Sequence, residues 1–270
     1  MFIDTVPVQS LISARMSIQN IPIVWFKRDL RVHDHAPLRR ASSLGVVLPI
    51  YIAEPSILGA ADMDAMHFDF IRDCLSSLRE SLAARGVPLV VRTGDAVDVF
   101  ESLASRFRIA TIHCHEETGN ALTFARDTRV ARWAREHHIK LEEVPSNGVV
   151  RRLASRDGWA GIWADRMGIE PLDAPDDLRG ADIEIGEIPS AQALRLSHLP
   201  PAVSERRQAQ IGGEVAAWQT LKSFTEERGR RYQREISAPS IARRSCSRLS
   251  PYIAYGALSV RQIVDYVRRG

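Results

Sequence analysis

Ile21-Pro22-Ile23-Val24-Trp25-Phe26, running straight into Lys27-Arg28-Asp29-Leu30-Arg31, is the stretch that decides the fold. Its apolar half predicts a first strand over residues 21–26, and strand and helix signals alternate from there onward. Asp34 is placed to cap a short helix through Ser43, and residues 46–53 read as a second strand, apolar as a sheet covered on both faces requires. Phe68, Ile71, Leu75, Leu78 and Leu82 recur at steps of three and four, which puts one apolar stripe on a long helix that Gly86 and Pro88 stop. There follow a strand over 87–91, a helix capped by Asp95 and reaching Arg106, a strand over 109–114, a helix from Gly119 to His138 and a strand over 140–144. The expected fold class is α/β, a doubly wound five-stranded parallel sheet of Rossmann-like form, with Val24, Val47, Val90, Ile112 and Leu141 buried in its strands. Such sheets bind ligands beyond the carboxyl ends of their strands, where the topology switches.

No G-x-G-x-x-G follows the first strand, which disfavours an ordinary NAD-binding domain. The loop there is charged instead, and Lys27, Arg28, Asp29 and Arg31 are expected to form a solvated ion-pair cluster rather than ligand contacts. From Arg152 to Gly213 the periodicity fades and prolines punctuate the chain, the pattern of a long connection. Within it Trp159, Trp163 and Met167 are spaced as a small helical packing patch. Helical signal returns at Glu214, with Trp218, Leu221 and Phe224 on one side of a helix that runs towards Arg230 or Arg231.

Near the end stands Cys246-Ser247-Arg248-Leu249-Ser250-Pro251-Tyr252, where hydroxyls and an arginine converge on a helix start. Ser250 as N-cap and Pro251 as first helical residue would turn backbone amides, helix dipole and side chains towards one anion. The plainer alternative is a helix corner whose serines only cap amides. Ser259 and Gln262 read as a capping box that opens a further helix.

At this pairing of an opening W-F-K-R-D-L-R segment with a closing C-S-R-L-S-P segment, the chain resembles the DNA photolyase and cryptochrome family over residues 21–270. The resemblance implies an α/β antenna domain over 21–150, a linker over 151–213 and, over 214–270, the first helices of an all-α FAD-binding domain. It implies FAD as cofactor, its phosphates held by Tyr232, Cys246, Ser247, Arg248, Leu249 and Ser250, with Cys246 standing where the family has threonine. It also implies an antenna pigment of folate or deazaflavin type. Leu122 and Thr123 replace the Asn-Glu of folate-using members, which weakens the case for folate. The implied activity is that of a carbon–carbon lyase, light-driven electron transfer from FAD that splits pyrimidine dimers in damaged DNA. The alternatives are a cryptochrome-type blue-light photoreceptor and a stand-alone nucleotide-binding α/β module. In the family, the residues around the flavin ring, the tryptophan chain and the dimer pocket come after the point matching Gly270, so catalytic residues are expected beyond this sequence, and the short chain is expected to hold little flavin.

Composition fits a cytoplasmic, monomeric protein that enters no membrane: 45% hydrophobic, 26% charged, with no run long enough for a span and no secretory signal. Residues 1–20 carry no motif and are expected to be a loosely ordered extension, with Met16 as an alternative start. Three cysteines, Cys74, Cys114 and Cys246, are too scattered for a disulfide framework. His113 and His115 share a strand face, but no carboxylate or cysteine is placed beside them by the sequence, so no metal site is expected. From Ser204 onward thirteen Arg and Lys face six Asp and Glu, whereas the whole chain is only +3, and such a basic segment suits polyanions.

Overall fold

A computed structural model describes residues 20–146, 148–196 and 209–269; the N-terminal extension read from the sequence lies outside them, apart from Asn20. The sheet consists of β1 (Asn20–Phe26), β2 (Val46–Ala53), β3 (Val90–Thr93), β4 (Arg108–His115) and β5 (Lys140–Val144). All neighbours are parallel, in the order β3-β2-β1-β4-β5, so the topology switches between β1 and β4. Register pairs Ile23 with Leu48 on one side and with Ile112 on the other. Because side chains alternate across a strand, Val24 and Phe26 enter one core while Ile21, Ile23 and Trp25 enter the other. Both faces are covered, which is why β1 reads as an unbroken apolar run.

Helices α1 (Ala36–Ser42), α2 (Pro55–Leu58), α3 (Ala65–Ala83), α4 (Ala96–Ala104) and α5 (Ala121–Glu136) connect the strands. The α3 stripe is buried throughout, and Asp64 and Asp95 accept from Met66 N and Val97 N to cap α3 and α4. Several expectations are corrected. The third strand starts at Val90, not Val87, because Pro88 has no N–H to give to a ladder. Leu141 is only partly buried, since β5 is an edge strand. The cap of α1 is His35, whose side chain accepts from Leu38 N, whereas Asp34 is turned away from α1 at φ +50.

The connection carries α6 (Trp159–Gly168) and a two-residue β6 (Arg179–Gly180) that pairs with Val46 and Val47 of β2. Of the tryptophan patch, Met167 is buried and Trp159 exposed, and the rings of Trp159 and Trp163 lie 6.5 Å apart. Gly86, at φ +101, lies where a Cβ would meet Leu178 O at 2.4 Å, so glycine lets this connection press on the sheet domain.

Beyond it lie α7 (Glu214–Glu226), a 3-10 turn (Arg228–Arg231), α8 (Tyr232–Glu235), α9 (Pro239–Ser245), α10 (Ser250–Ala254) and α11 (Val260–Arg269). Helix α7 stops before Arg230 because the chain turns at Glu227 (φ −130, ψ −68). The capping box of α11 forms as read, Ser259 N donating to Gln262 Oε1 at 2.9 Å and Gln262 N to Ser259 Oγ at 3.0 Å. Among the described residues no helix is long and apolar enough to cross a membrane.

Candidate functional site

Three of the four charged residues after β1 are not solvated, which corrects the sequence expectation for them: Lys27, Asp29 and Arg31 are buried, Arg28 is exposed, and several partners come from distant parts of the chain. Lys27 Nζ bonds Asp127 Oδ2 at 2.5 Å, Arg31 Nη1 donates to Gly256 O at 2.9 Å, and Arg28 Nε donates to Ala254 O at 2.9 Å. Asp34 accepts from Ser259 Oγ at 2.6 Å and pairs with Arg261 Nη2 at 2.7 Å, while Glu214 Oε2 accepts from Val32 N at 3.0 Å. The loop therefore fastens the sheet to the C-terminal helices. Gly256, at φ +64, permits the closest approach, since a Cβ there would lie 2.2 Å from Arg28 O.

Asp29 is the acceptor at the centre: Oδ1 takes Lys27 N at 2.7 Å, and Oδ2 takes His115 Nδ1 at 2.7 Å and His35 Nε2 at 3.0 Å. Burial raises the Asp29 pKa, but the two imidazoles outweigh it and hold the carboxyl well below its usual range. Burial and neighbouring His35 push His115 down to about 3, so it stays neutral. The three side chains sit close enough to suggest metal ligation. However, His35 Nδ1 already accepts from Leu38 N at 3.1 Å, which leaves its proton on Nε2, facing Asp29. The cluster is thus a hydrogen-bond network. The sequence lacked a visible partner for His115 because Asp29 is 86 residues away.

Beyond the carboxyl ends of β1 and β2 opens a cavity of 380 Å³, walled by Trp25, Tyr51, Glu54, Arg126, Ser250 and Tyr255 among others. Arg126 orders it, reaching Asp127 Oδ1 at 2.8 Å, Glu54 Oε2 at 3.2 Å and Glu117 Oε2 at 2.7 Å. Burial works against its charge, but these three carboxylates win and raise its pKa. Both Arg126 and Lys27 lie over the Trp25 ring, at 4.9 and 4.8 Å. Of the two positions singled out for folate, Thr123 lines the cavity and Leu122 is exposed.

The start of α10 meets the same cavity, with Ser250 and Pro251 in its wall, and residues 246–249 lead into that helix. Here the capping expectation is corrected: Ser250 is already inside α10, a five-residue helix, and Leu249 holds the cap position without a side-chain bond. What helix dipole there is comes from one turn, so side chains and loop amides must do any gripping. Ser247 Oγ lies 3.5 Å from Leu249 N, Leu249 is buried in the core, Ser250 is exposed, and Arg248 adopts φ +57. Burial lowers the Arg248 pKa, and Arg243 and Arg228 lower it further. Tyr232 is exposed, its ring edge-on to Phe224 at 6.0 Å, and the guanidinium of Arg228 lies on that same Phe224 at 5.8 Å. An arginine beside hydroxyls, as Arg248 stands beside Ser247 and Ser250, is the donor type that a diphosphate takes. Arg228 was missed in the sequence because its bonds to Thr220, Cys246 and Ser247 run to backbone carbonyls, which leave no pattern.

Comparison with known proteins gives this geometry its context. The DNA photolyase family model matches residues 22–156. The chain is 29% identical to the blue-light photoreceptor PHR2 of Arabidopsis thaliana, over 95% of this chain and 63% of that protein. It is 24% identical to a deoxyribodipyrimidine photo-lyase of Alkalihalophilus pseudofirmus, over 92% of this chain and 54% of that protein. The Synechocystis cryptochrome structure superposes with a TM-score of 0.75 at 22% identity, over 93% of this chain and 56% of that one. The chain thus spans little more than half the length of these relatives, and the names they bear include both repair enzyme and photoreceptor. The family-model match over residues 22–156, half of the chain, establishes that the chain belongs to the DNA photolyase and cryptochrome family, whose members usually bind FAD.

Proposed function

We propose that this chain is the pigment-collecting and FAD-phosphate-binding portion of a photolyase-type flavoprotein that acts on damaged DNA. The observation that carries the reading is the double use of α10: Ser250 and Pro251 wall the 380 Å³ cavity, and the loop 246–250 that leads into the same helix carries the family's phosphate motif. A flat pigment of folate or deazaflavin type would lie in the cavity over Tyr51 and Trp25. Tyr232, Cys246, Ser247, Arg248, Leu249 and Ser250 would hold the FAD phosphates, and FAD when bound supplies the light-driven electron donor. The exposed arginines 230, 231, 234, 243 and 244 provide the basic surface that a DNA backbone needs.

A photoreceptor role is the second reading, favoured by the relative that matches 95% of the chain. The stand-alone nucleotide module lacks support, because the charged groups of the β1 loop are engaged within the chain. The test, made on a form of the protein that carries the complete FAD-binding domain, is binding of ultraviolet-irradiated duplex against intact duplex, with dimer repair followed under blue light. Preference for the irradiated duplex with light-dependent repair supports the enzyme reading; no preference and no repair moves the assignment to the photoreceptor.

A further inference from the structure

Arg228 belongs to no motif, yet its guanidinium spans the gap between α7 and the loop 246–249. Its Nε donates to Ser223 Oγ at 3.0 Å and its Nη2 to Thr220 O at 3.0 Å, which fixes the fork on α7. The other contacts reach across: Nη1 to Cys246 O at 2.5 Å and Nη2 to Ser247 O at 3.2 Å. The next carbonyl, that of Arg248, accepts from Gln210 Nε2 at 2.7 Å. Three consecutive carbonyls are therefore held by side chains of this chain.

Peptide geometry gives this a consequence. In a trans peptide the C=O of one residue and the N–H of the next point in opposite directions. If the carbonyls of Cys246 and Ser247 turn onto Arg228, the amides of Ser247 and Arg248 turn away from it. Arg248 then adopts φ +57, a conformation costly for a non-glycine residue and one that closes successive amides into an anion-holding concavity.

We propose that Arg228 is the positioning residue of the loop 246–250: it holds the carbonyls of Cys246 and Ser247 inward so that the following amides face the phosphates of the cofactor. The functional half of this proposal rests on the FAD reading above. Lysine would not replace it, because an ammonium lacks the planar fork that reaches two carbonyls and the α7 end together.

The experiment compares Arg228→Lys and Arg228→Gln with wild type, by amide hydrogen exchange of this chain without ligand and by FAD titration of forms that carry the complete FAD-binding domain. Faster exchange confined to residues 246–250 in both variants is expected, with the amides of β1, β2 and β4 unchanged. FAD affinity should fall in both on the order of tenfold. Unchanged exchange over 246–250, or acceleration spread across the whole chain, would overturn the positioning role. Full FAD affinity in Arg228→Lys would reduce Arg228 to a point charge and likewise overturn it. Absence of FAD affinity in the form that carries the complete FAD-binding domain would overturn the cofactor reading, and the exchange data would still decide what Arg228 does to the loop.

Discussion

Two loops of this molecule are rich in the same residue types and behave oppositely. In the loop after β1, the buried cation Lys27 and the buried carboxylates Asp29 and Asp34 meet side-chain partners inside the chain, at separations of up to 227 residues. In the loop 246–250 it is the carbonyls that are held, while Ser250 is exposed and Arg243 and Arg228 act on Arg248 as like charges. The difference teaches how to separate docking from binding. A charged loop whose groups satisfy one another is structural glue, and one that gathers like charges around a pinned backbone is prepared for an outside anion.

The comparison breaks most visibly at Asp34. Asp34→Ala removes the buried partner of Arg261 and should cost about 3–5 kcal/mol, read as a lower urea midpoint. A loss under about 1 kcal/mol would mean that the β1 loop does not fasten the two parts. Gly256→Ala should cost roughly 1–3 kcal/mol, because its new Cβ would meet Arg28 O at a positive φ, and it should loosen the α10–α11 turn before the sheet.

Acid should act on the first loop as well. His115 is held neutral at a pKa of about 3, below its ordinary 6.5, so the unfolded chain gains its proton first as pH falls. Its contribution is complete above pH 6.5 and is lost progressively between pH 6.5 and about 3. Asp29, also depressed, adds a loss that begins only below its ordinary value of 3.8. Thermal melts from pH 7 to pH 4.5 should therefore fall, and His115→Asn should flatten that dependence. An equally steep fall in the variant would remove His115 from the account. The smallest effect belongs to the basic surface. Replacing Arg230 or Arg231 by Gln should lower the salt dependence of DNA binding by about one unit each, whatever the base sequence.

Much of the sheet was legible because its signals are local: the α3 stripe, the Asp95 cap and the apolar β1 run each lie within one element. Boundaries failed where a single residue overrode the pattern, as Pro88 did for β3. The β1 loop misled because its charges looked like a surface cluster, and nothing nearby announces that Asp127, Gly256 and Ser259 will cover them. The string 246–252 stood out as a motif, though the local structure of the loop 246–250 did not. Ser250 looked like a cap, but the chain reaches its helical turn one residue earlier. The pinning by Arg228 involves backbone oxygens, which no side-chain pattern encodes.

The proposal that residues 246–250 hold the phosphates of FAD is tested most directly by equilibrium titration of FAD into wild-type and Arg248→Ala forms of the protein that carry the complete FAD-binding domain. Loss of a charge-assisted hydrogen bond is expected to weaken FAD by about 1.5–3 kcal/mol, roughly ten- to a hundredfold. An unchanged affinity in Arg248→Ala would contradict the claim and place the cofactor elsewhere.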